Sequence, residues 1–251
     1  MSHSTLLQVD DLVKSFGGLR ATDHANLSVR TGEIHALIGP NGAGKTTVFN
    51  LLTKFLTPTR GKILFGGRDI TQETPAHVAR RGMVRSFQIS AVFPNLTVLE
   101  NVRVALQRTR SDVYAFWRSD RHLRILNERA FSLLEDVGLS DFAAHRAADL
   151  SYGRKRALEI ATTLALDPEL LLLDEPTAGM GHEDIDRIAA LIGRIAKTRT
   201  VLMVEHNLSV VSSLSNKITV LARGKVLAEG NYATLSKDPR VIEAYIGSAH
   251  A

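Results

Sequence analysis

The run Gly39-Pro40-Asn41-Gly42-Ala43-Gly44-Lys45-Thr46-Thr47 has the residue types and the spacing, G-x-x-x-x-G-K-[ST], of a loop that binds phosphate. Its glycines let several backbone N–H groups turn inward on phosphate oxygens, and a helix starting behind them adds partial positive charge. Lys45 supplies a full charge, and the Thr46 hydroxyl suits a magnesium ion bridging the outer phosphates. Average residue frequencies produce such a match by accident in roughly one chain in a hundred of this length, so a nucleotide site is the expectation.

Other positions carry chemistry that fits the same ligand. Leu170-Leu171-Leu172-Leu173 ends in the acids Asp174 and Glu175. Asp174 at the carboxyl end of a buried strand can hold magnesium, directly or through water, and Glu175 can polarise an attacking water. Three residues each keep a plainer reading beside the functional one. His206 is structural or solvated, or it hydrogen-bonds a terminal phosphate. Gln88 is an edge residue, or an amide that ligates magnesium or orients water. Phe16 is a core aromatic, or a flat face on which adenine stacks. Ser151-Tyr152-Gly153 opens a helix. There Ser151 is an ordinary cap, or serine, glycine and helix N-terminus together form a second phosphate site. If that site and the Lys45 loop lie in different lobes, it suggests binding across a dimer.

The elements that must position these residues are legible. Residues 6–38 alternate apolar and polar positions around turns at Gly17-Gly18 and Thr31-Gly32, as in an antiparallel sheet leading into a loop strand at Glu33–Ile38. A helix is predicted from Thr46 to Leu56, a strand over Gly61–Phe65, and a short helix opened by Thr74-Pro75. A further strand covers Met83–Phe87 and ends at Gln88. Helices follow from the Thr97–Glu100 capping box, over Arg118–Val137 with Gly138 as its stop, from Ser151 through Leu166, and over Glu183–Ala196. Strands at Leu170–Leu173, Thr200–Glu205, Lys217–Leu221 and Lys225–Ala228 alternate with or follow them, and Asp238-Pro239 opens a last helix. Between the first two of these helices, Arg108, Arg110, Arg118, Arg121 and Arg124 interleave with Tyr114, Phe116 and Trp117. That stretch is a solvated helical face or a contact for lipid headgroups.

Composition narrows the class. The chain has 251 residues, enough for one large α/β domain or two lobes, and no cysteine, which excludes disulfides and thiolate metal sites and fits a reducing cytoplasm. No continuously apolar run reaches the roughly eighteen residues of a membrane span, and Met1–Thr5 lacks an apolar signal region, so neither span nor export is expected. The formal charge of +5 suits an anionic partner, whether nucleotide, nucleic acid or the cytoplasmic face of a membrane.

Over essentially its whole length the chain resembles the nucleotide-binding subunit of an ATP-binding-cassette (ABC) transporter. In the family's terms Phe16 looks like the adenine platform and Gly39 to Thr47 the Walker A loop. Gln88 looks like the Q-loop, Leu150 to Arg154 the signature motif, Asp174 the end of Walker B, Glu175 the catalytic carboxylate and His206 the switch histidine. Leu150-Ser151-Tyr152-Gly153, Leu158-Glu159-Ile160-Ala161, Arg85-Ser86-Phe87-Gln88 and Val241–Gly247 are similar to ATPases of branched-chain (hydrophobic) amino acid importers, a group whose related systems carry amides, urea or aromatic acids. Two positions depart from the pattern. Arg154 stands where the signature commonly has glutamine. Gly181 stands near where a loop after Walker B usually carries an aspartate or asparagine that crosses the dimer, which leaves room for a heterodimer.

The resemblance implies an α/β fold: a P-loop NTPase with a RecA-like mixed sheet, an N-terminal antiparallel β subdomain and an inserted helical subdomain. Residues 1–88 and 157–251 would form the catalytic lobe and 89–156 the helical signature lobe of one ABC ATPase domain. ATP and Mg2+ are the implied cofactors. Implied partners are integral membrane permease subunits, a second ATPase subunit in a head-to-tail ATP sandwich and, indirectly, a solute-binding protein, with no nucleic acid. The implied location is peripheral, at the cytoplasmic face of the inner membrane. Competing readings are a lipid or lipopolysaccharide exporter ATPase, a soluble ABC ATPase acting on ribosomes or nucleic acid, and a regulatory module without hydrolysis, which the intact Glu175 and His206 disfavour.

Overall fold

A computed structural model describes residues 4–86, 92–108 and 120–247. Gln88 and most of the arginine-rich stretch, from Arg110 through Arg118, lie outside the described residues. The elements in order are β1 (Thr5–Phe16), β2 (Leu19–Arg30), β3 (Ile34–Ile38), α1 (Lys45–Leu52), β4 (Arg60–Phe65), β5 (Arg68–Asp69), α2 (Pro75–Arg80) and β6 (Met83–Ser86). Helices α3 (Val98–Arg108), α4 (Asp120–Asp136) and α5 (Tyr152–Leu164) come next, then β7 (Leu170–Asp174), α6 (His182–Ile195), β8 (Thr200–Val204) and α7 (Leu208–Leu214). The chain closes with β9 (Lys217–Ala222), β10 (Lys225–Gly230), α8 (Tyr232–Leu235) and α9 (Pro239–Gly247).

Two sheets result. β1, β2, β4 and β5 form an antiparallel sheet in the order β2-β1-β4-β5. The second has the order β10-β9-β3-β8-β7-β6, parallel from β9 to β6, with β10 antiparallel at one edge. The loop strand β3 therefore joins the second sheet and does not extend the first. The fold is the expected α/β cassette with a mixed central sheet.

Burial explains the continuous apolar runs of the parallel strands. Ile34, Ala36 and Ile38 of β3, with Leu171 and Leu173 of β7, pack on one face with α3, α4, α5 and α6 residues such as Val102, Leu134, Leu158 and Ile192. Leu37, Leu170, Leu172 and Leu202 face the other way, into a cluster shared with Phe49 and Leu52 of α1 and Leu7 and Val29 of the antiparallel sheet. Both faces are covered, so neither can afford the polar alternation of a half-exposed strand.

Caps set several boundaries as expected. The Thr97 N–H donates to Glu100 Oε2 at 2.8 Å and the Glu100 N–H to Thr97 Oγ1 at 3.2 Å, a reciprocal capping box. Thr74 accepts from the His77 N–H, ahead of proline at the first position of α2. The first helix is shorter than predicted, ending at Leu52 and not at Leu56, because Lys54 turns into the left-handed region at φ 64°. Likewise α5 ends at Leu164, short of Leu166. Helices α7 and α8 were not predicted; each is a single short turn or two started by an asparagine cap, Asn207 and Asn231, too brief for periodicity to register.

Lys54 carries two costs at once. Its backbone is in a conformation that favours glycine, and its ammonium is buried without a hydrogen-bond partner, so burial lowers its pKa to about 8. Lys54→Gly should raise Tm by about 3 °C or more in a thermal melt. Because the folded pKa lies below the unfolded value of about 10.4, the unfolded chain binds more protons between those two pH values. Wild-type stability therefore recovers as pH rises from 8, and the advantage of Lys54→Gly should be largest below pH 8 and shrink above it.

Candidate nucleotide site at the carboxyl edge of the parallel sheet

Strand register assembles the site. Leu37 of β3 pairs with Val204 of β8, Val204 with Asp174 of β7, and Leu173 with Ser86 of β6. The segments that follow these strands, Gly39 to Thr47, Asp174–Glu175 and Glu205–His206, consequently emerge at one edge, where ligands of open α/β sheets bind. Gln88 follows Ser86 by two residues and lies outside the described residues.

In the loop, Lys45 Nζ donates to the carbonyls of Gly39 at 2.7 Å and Pro40 at 2.9 Å, folding its ammonium over the turn. Gly44 caps α1 at φ 102°, and a Cβ there would lie 2.3 Å from the Ala21 carbonyl oxygen of β2, so only glycine fits. The same contact presses the start of β2 against the loop and brings the hairpin bearing Phe16 to the site. Phe16 is 47 % exposed with the Lys14 ammonium 5.1 Å from its ring centroid, so it is not a core aromatic. Thr46 and Asn41 are exposed on the loop, Gly42 forms its outer turn, and Thr47 is half-buried.

The acids stand close enough to act on Lys45. Burial holds the Lys45 ammonium below the usual lysine range, and the charges of Glu175 and Asp174 pull it part of the way back. Asp174 is buried, paired with Arg85, and its main-chain carbonyl accepts from Arg156 Nη2 at 2.9 Å. Glu175 sits at φ 45° with its N–H donating to the Val204 carbonyl at 2.9 Å. A non-glycine residue in that region stores strain, which collects at functional sites. His206 is the most open member, with its side chain 61 % exposed and Nδ1 3.6 Å from Glu205 Oε1.

The groups at this edge fit magnesium. A hydroxyl at Thr46 and the carboxylate of Asp174 are hard oxygen donors, and among the described residues no group of three acidic, histidine or cysteine side chains forms a complete metal cage. Magnesium bound with nucleotide needs only such a partial set, because phosphates and waters complete its octahedron.

Ser151-Tyr152-Gly153 takes a different place. Ser151 occupies the cap position of α5 but its hydroxyl makes no capping bond, and Ser151 and Tyr152 are exposed. A Cβ on Gly153 would meet the Asp184 carboxyl at 2.5 Å, so the N-terminus of α5 is pressed against the first turn of α6. Helix α5 packs chiefly on α3, α4, α6 and β6, and α1 on β2. Arg154 is accounted for locally, since its guanidinium lies 4.0 Å from the Phe142 ring centroid. Gly181 is the cap residue of α6, with open space where a side chain would stand.

Sequence reasoning missed four contributors. Glu205, fully buried, accepts from the His206 and Asn207 N–H groups at 3.0 and 3.1 Å and from Thr177 Oγ1 at 2.9 Å, tying the segment after β7 to the one after β8. Arg85 and Asn50 hold Asp174 from behind, with Arg85 Nη1 donating to Asn50 Oδ1 at 2.6 Å. Tyr245 of α9 hydrogen-bonds the Gly39 backbone, bringing the last helix to the loop. A signal existed for two of them: a charge inside an apolar strand, or at its end, must be paired if buried.

Glu205→Gln should cost roughly 2 kcal/mol, because an amide presents one acceptor oxygen where the carboxylate uses two and leaves buried N–H groups unmatched. A denaturant titration checks this. Gly44→Ala should abolish binding of a fluorescent ATP analogue, since the loop cannot hold both the Cβ and the Ala21 carbonyl.

Comparison with known proteins agrees with the geometry. The family model described as ABC transporter matches residues 22–178, and that described as Branched-chain amino acid ATP-binding cassette transporter matches 225–251. The High-affinity branched-chain amino acid transport ATP-binding protein BraF of Pseudomonas aeruginosa is 41 % identical, over 97 % of this chain and 98 % of that one. Among solved structures, a nucleotide-free ATP-binding cassette from an ABC transporter superposes with a TM-score of 0.85 at 32 % identity, covering 97 % of this chain and 100 % of the other. A dimeric bacterial ABC transporter cassette does so at 0.76 and 25 %, covering 90 % and 98 %. Likeness that runs from one end of the chain to the other, over an edge already arranged for phosphoryl transfer, makes this chain a member of the ABC transporter family, one of its ATP-hydrolysing cassettes.

Proposed function

We propose that this cassette powers the import of branched-chain amino acids or related small solutes, as a peripheral subunit at the cytoplasmic face of the inner membrane. The observation that carries the reading is the 41 % identity, over nearly the full length of both chains, to a branched-chain amino acid transport ATP-binding protein. The separate match of residues 225–251 supports it.

In this reading Phe16 stacks the adenine, and Lys45 with the amides of Gly39 to Thr47 holds the phosphates. Thr46, Asp174 and Gln88 would hold magnesium, which would supply positive charge to the outer phosphates. Glu175 accepts a proton from, or orients, the attacking water, and His206 hydrogen-bonds the γ-phosphate. Ser151, Tyr152 and Gly153 act on the nucleotide of a second subunit, identical or related, in a head-to-tail dimer. The exposed, uncapped Ser151 hydroxyl supports that division. Loss of the γ-phosphate removes the bridge between subunits, and this differential affinity drives opening.

Residues 89–156 would form the helical lobe that carries this second half-site. Between α2, β6, α3 and α5 runs a cavity of about 530 Å3, mainly apolar, with Phe55, Phe93 and Val104 exposed on its rim. Its occupant in this reading is a segment of the permease subunit, since β6 on its wall leads directly to Gln88. A solute-binding protein would act through that permease.

Three measurements test the reading. Affinity capture of the tagged chain from detergent-solubilised membranes should recover two integral membrane subunits, with ATP turnover raised by a solute-loaded binding protein. Recovery of ribosomes, nucleic acid or lipid-export components would overturn it. Glu175→Gln should bind ATP yet lose about a hundredfold or more in turnover and accumulate as a closed dimer on size exclusion. Ser151→Arg should bind ATP as a monomer and fail to dimerise; persistent ATP-dependent dimers would rule out the shared site.

A further inference from the structure

Arg85 lies inside an apolar strand and is itself buried, with 9 % of its side chain exposed against 5 % for its partner Asp174. It meets three residues on two other elements, β7 and α1. One guanidinium nitrogen, Nη2, pairs with Asp174 Oδ2 at the end of β7; Nη1 donates to Asn50 Oδ1 of α1 at 2.6 Å; and its Cζ lies 5.6 Å from the Phe49 ring centroid. The same side chain forms part of the wall of the cavity between α2 and α3.

Planarity makes this arrangement specific. The guanidinium is a rigid fork, so holding Asn50 and Asp174 at once fixes the direction of the carboxylate relative to the helix that begins at Lys45. A lysine in the same place offers a point charge with rotatable donors and no rigid fork, so it does not fix the angle between the two acceptors. We propose that Arg85 is a positioning residue for Asp174, orienting the metal-side carboxylate from behind and making its orientation answer to what fills the cavity between α2 and α3. This rests on the assignment of Asp174 to magnesium and of the cavity to a partner segment.

Asp174 binds through Oδ2 to Arg85, and Arg156 takes its main-chain oxygen, so the residue is held at both ends. Groups that orient a metal ligand from outside set metal affinity without touching nucleotide. Arg85 should therefore govern the magnesium requirement and leave the phosphate grip of the Lys45 loop alone.

The test uses the full chain, trinitrophenyl-ATP fluorescence without metal, and a Mg2+ titration at saturating nucleotide, with a thermal melt for folding. Arg85→Lys should bind the nucleotide as wild type does without metal, but need about tenfold or more Mg2+ for half-maximal response. Asn50→Ala, which cuts only the α1 arm, should shift the midpoint the same way by a smaller factor, and it decides the matter if Arg85→Lys fails to fold. Val104→Trp, which fills the cavity, should move the midpoint about threefold or more in the wild-type background and not in Arg85→Lys. Wild-type Mg2+ midpoints in both folded variants, or equal Val104→Trp shifts in both backgrounds, would overturn the proposal. Failure of the wild-type chain to bind the nucleotide would instead overturn the nucleotide-site reading on which it rests.

Discussion

The lateral register of the parallel strands is the constraint on which the site depends. Leu37, Val204 and Asp174 stand level across β3, β8 and β7. A slip of one residue in any of these strands would turn its side chains to the opposite face, and both faces are buried in different clusters, so the alternative packings are costly. Core packing thereby sets the relative height of the loop, the acids and the histidine. Function at the edge is a consequence of apolar alternation within the sheet.

Charge at that edge is balanced by pairing before any ligand arrives. Lys45 rests on loop carbonyls and within reach of two acids, Asp174 is paired with Arg85, and Glu205 accepts from backbone N–H groups and a threonine. A buried ion left alone is expensive, so each partner offsets the burial of its neighbour and fixes where it points. Positioned charge that needs no rearrangement at the moment of reaction is the larger part of what an enzyme supplies to phosphoryl transfer.

The Ser151-Tyr152-Gly153 segment obeys a different logic. Its N-terminal turn is pinned by Gly153 against Asp184, yet Ser151 and Tyr152 face outward and the serine hydroxyl is not used to cap its own helix. Helix initiation does not account for the serine, because the side chain does none of the capping. In the proposed dimer this exposed turn would supply half of a site.

Much of this was legible in the residues alone. The loop, the acid pair and the capping box are local, and each is fixed by chemistry within a few positions: glycine for a left-handed turn, a continuous apolar run for a doubly covered strand, a reciprocal hydrogen bond at a helix start. What one chain's sequence could not decide were matters of distance between residues far apart along it. That Phe16 is exposed, that Arg154 stacks on Phe142, that α1 ends at Leu52, and that Arg85, Asn50 and Glu205 brace the acids and the histidine depends on which elements meet. Local chemistry is set by a residue and its neighbours in sequence, and so the chain by itself determined which groups are the candidates for the work. Their relative placement is set by long-range burial, and only the tertiary structure decided what holds them there.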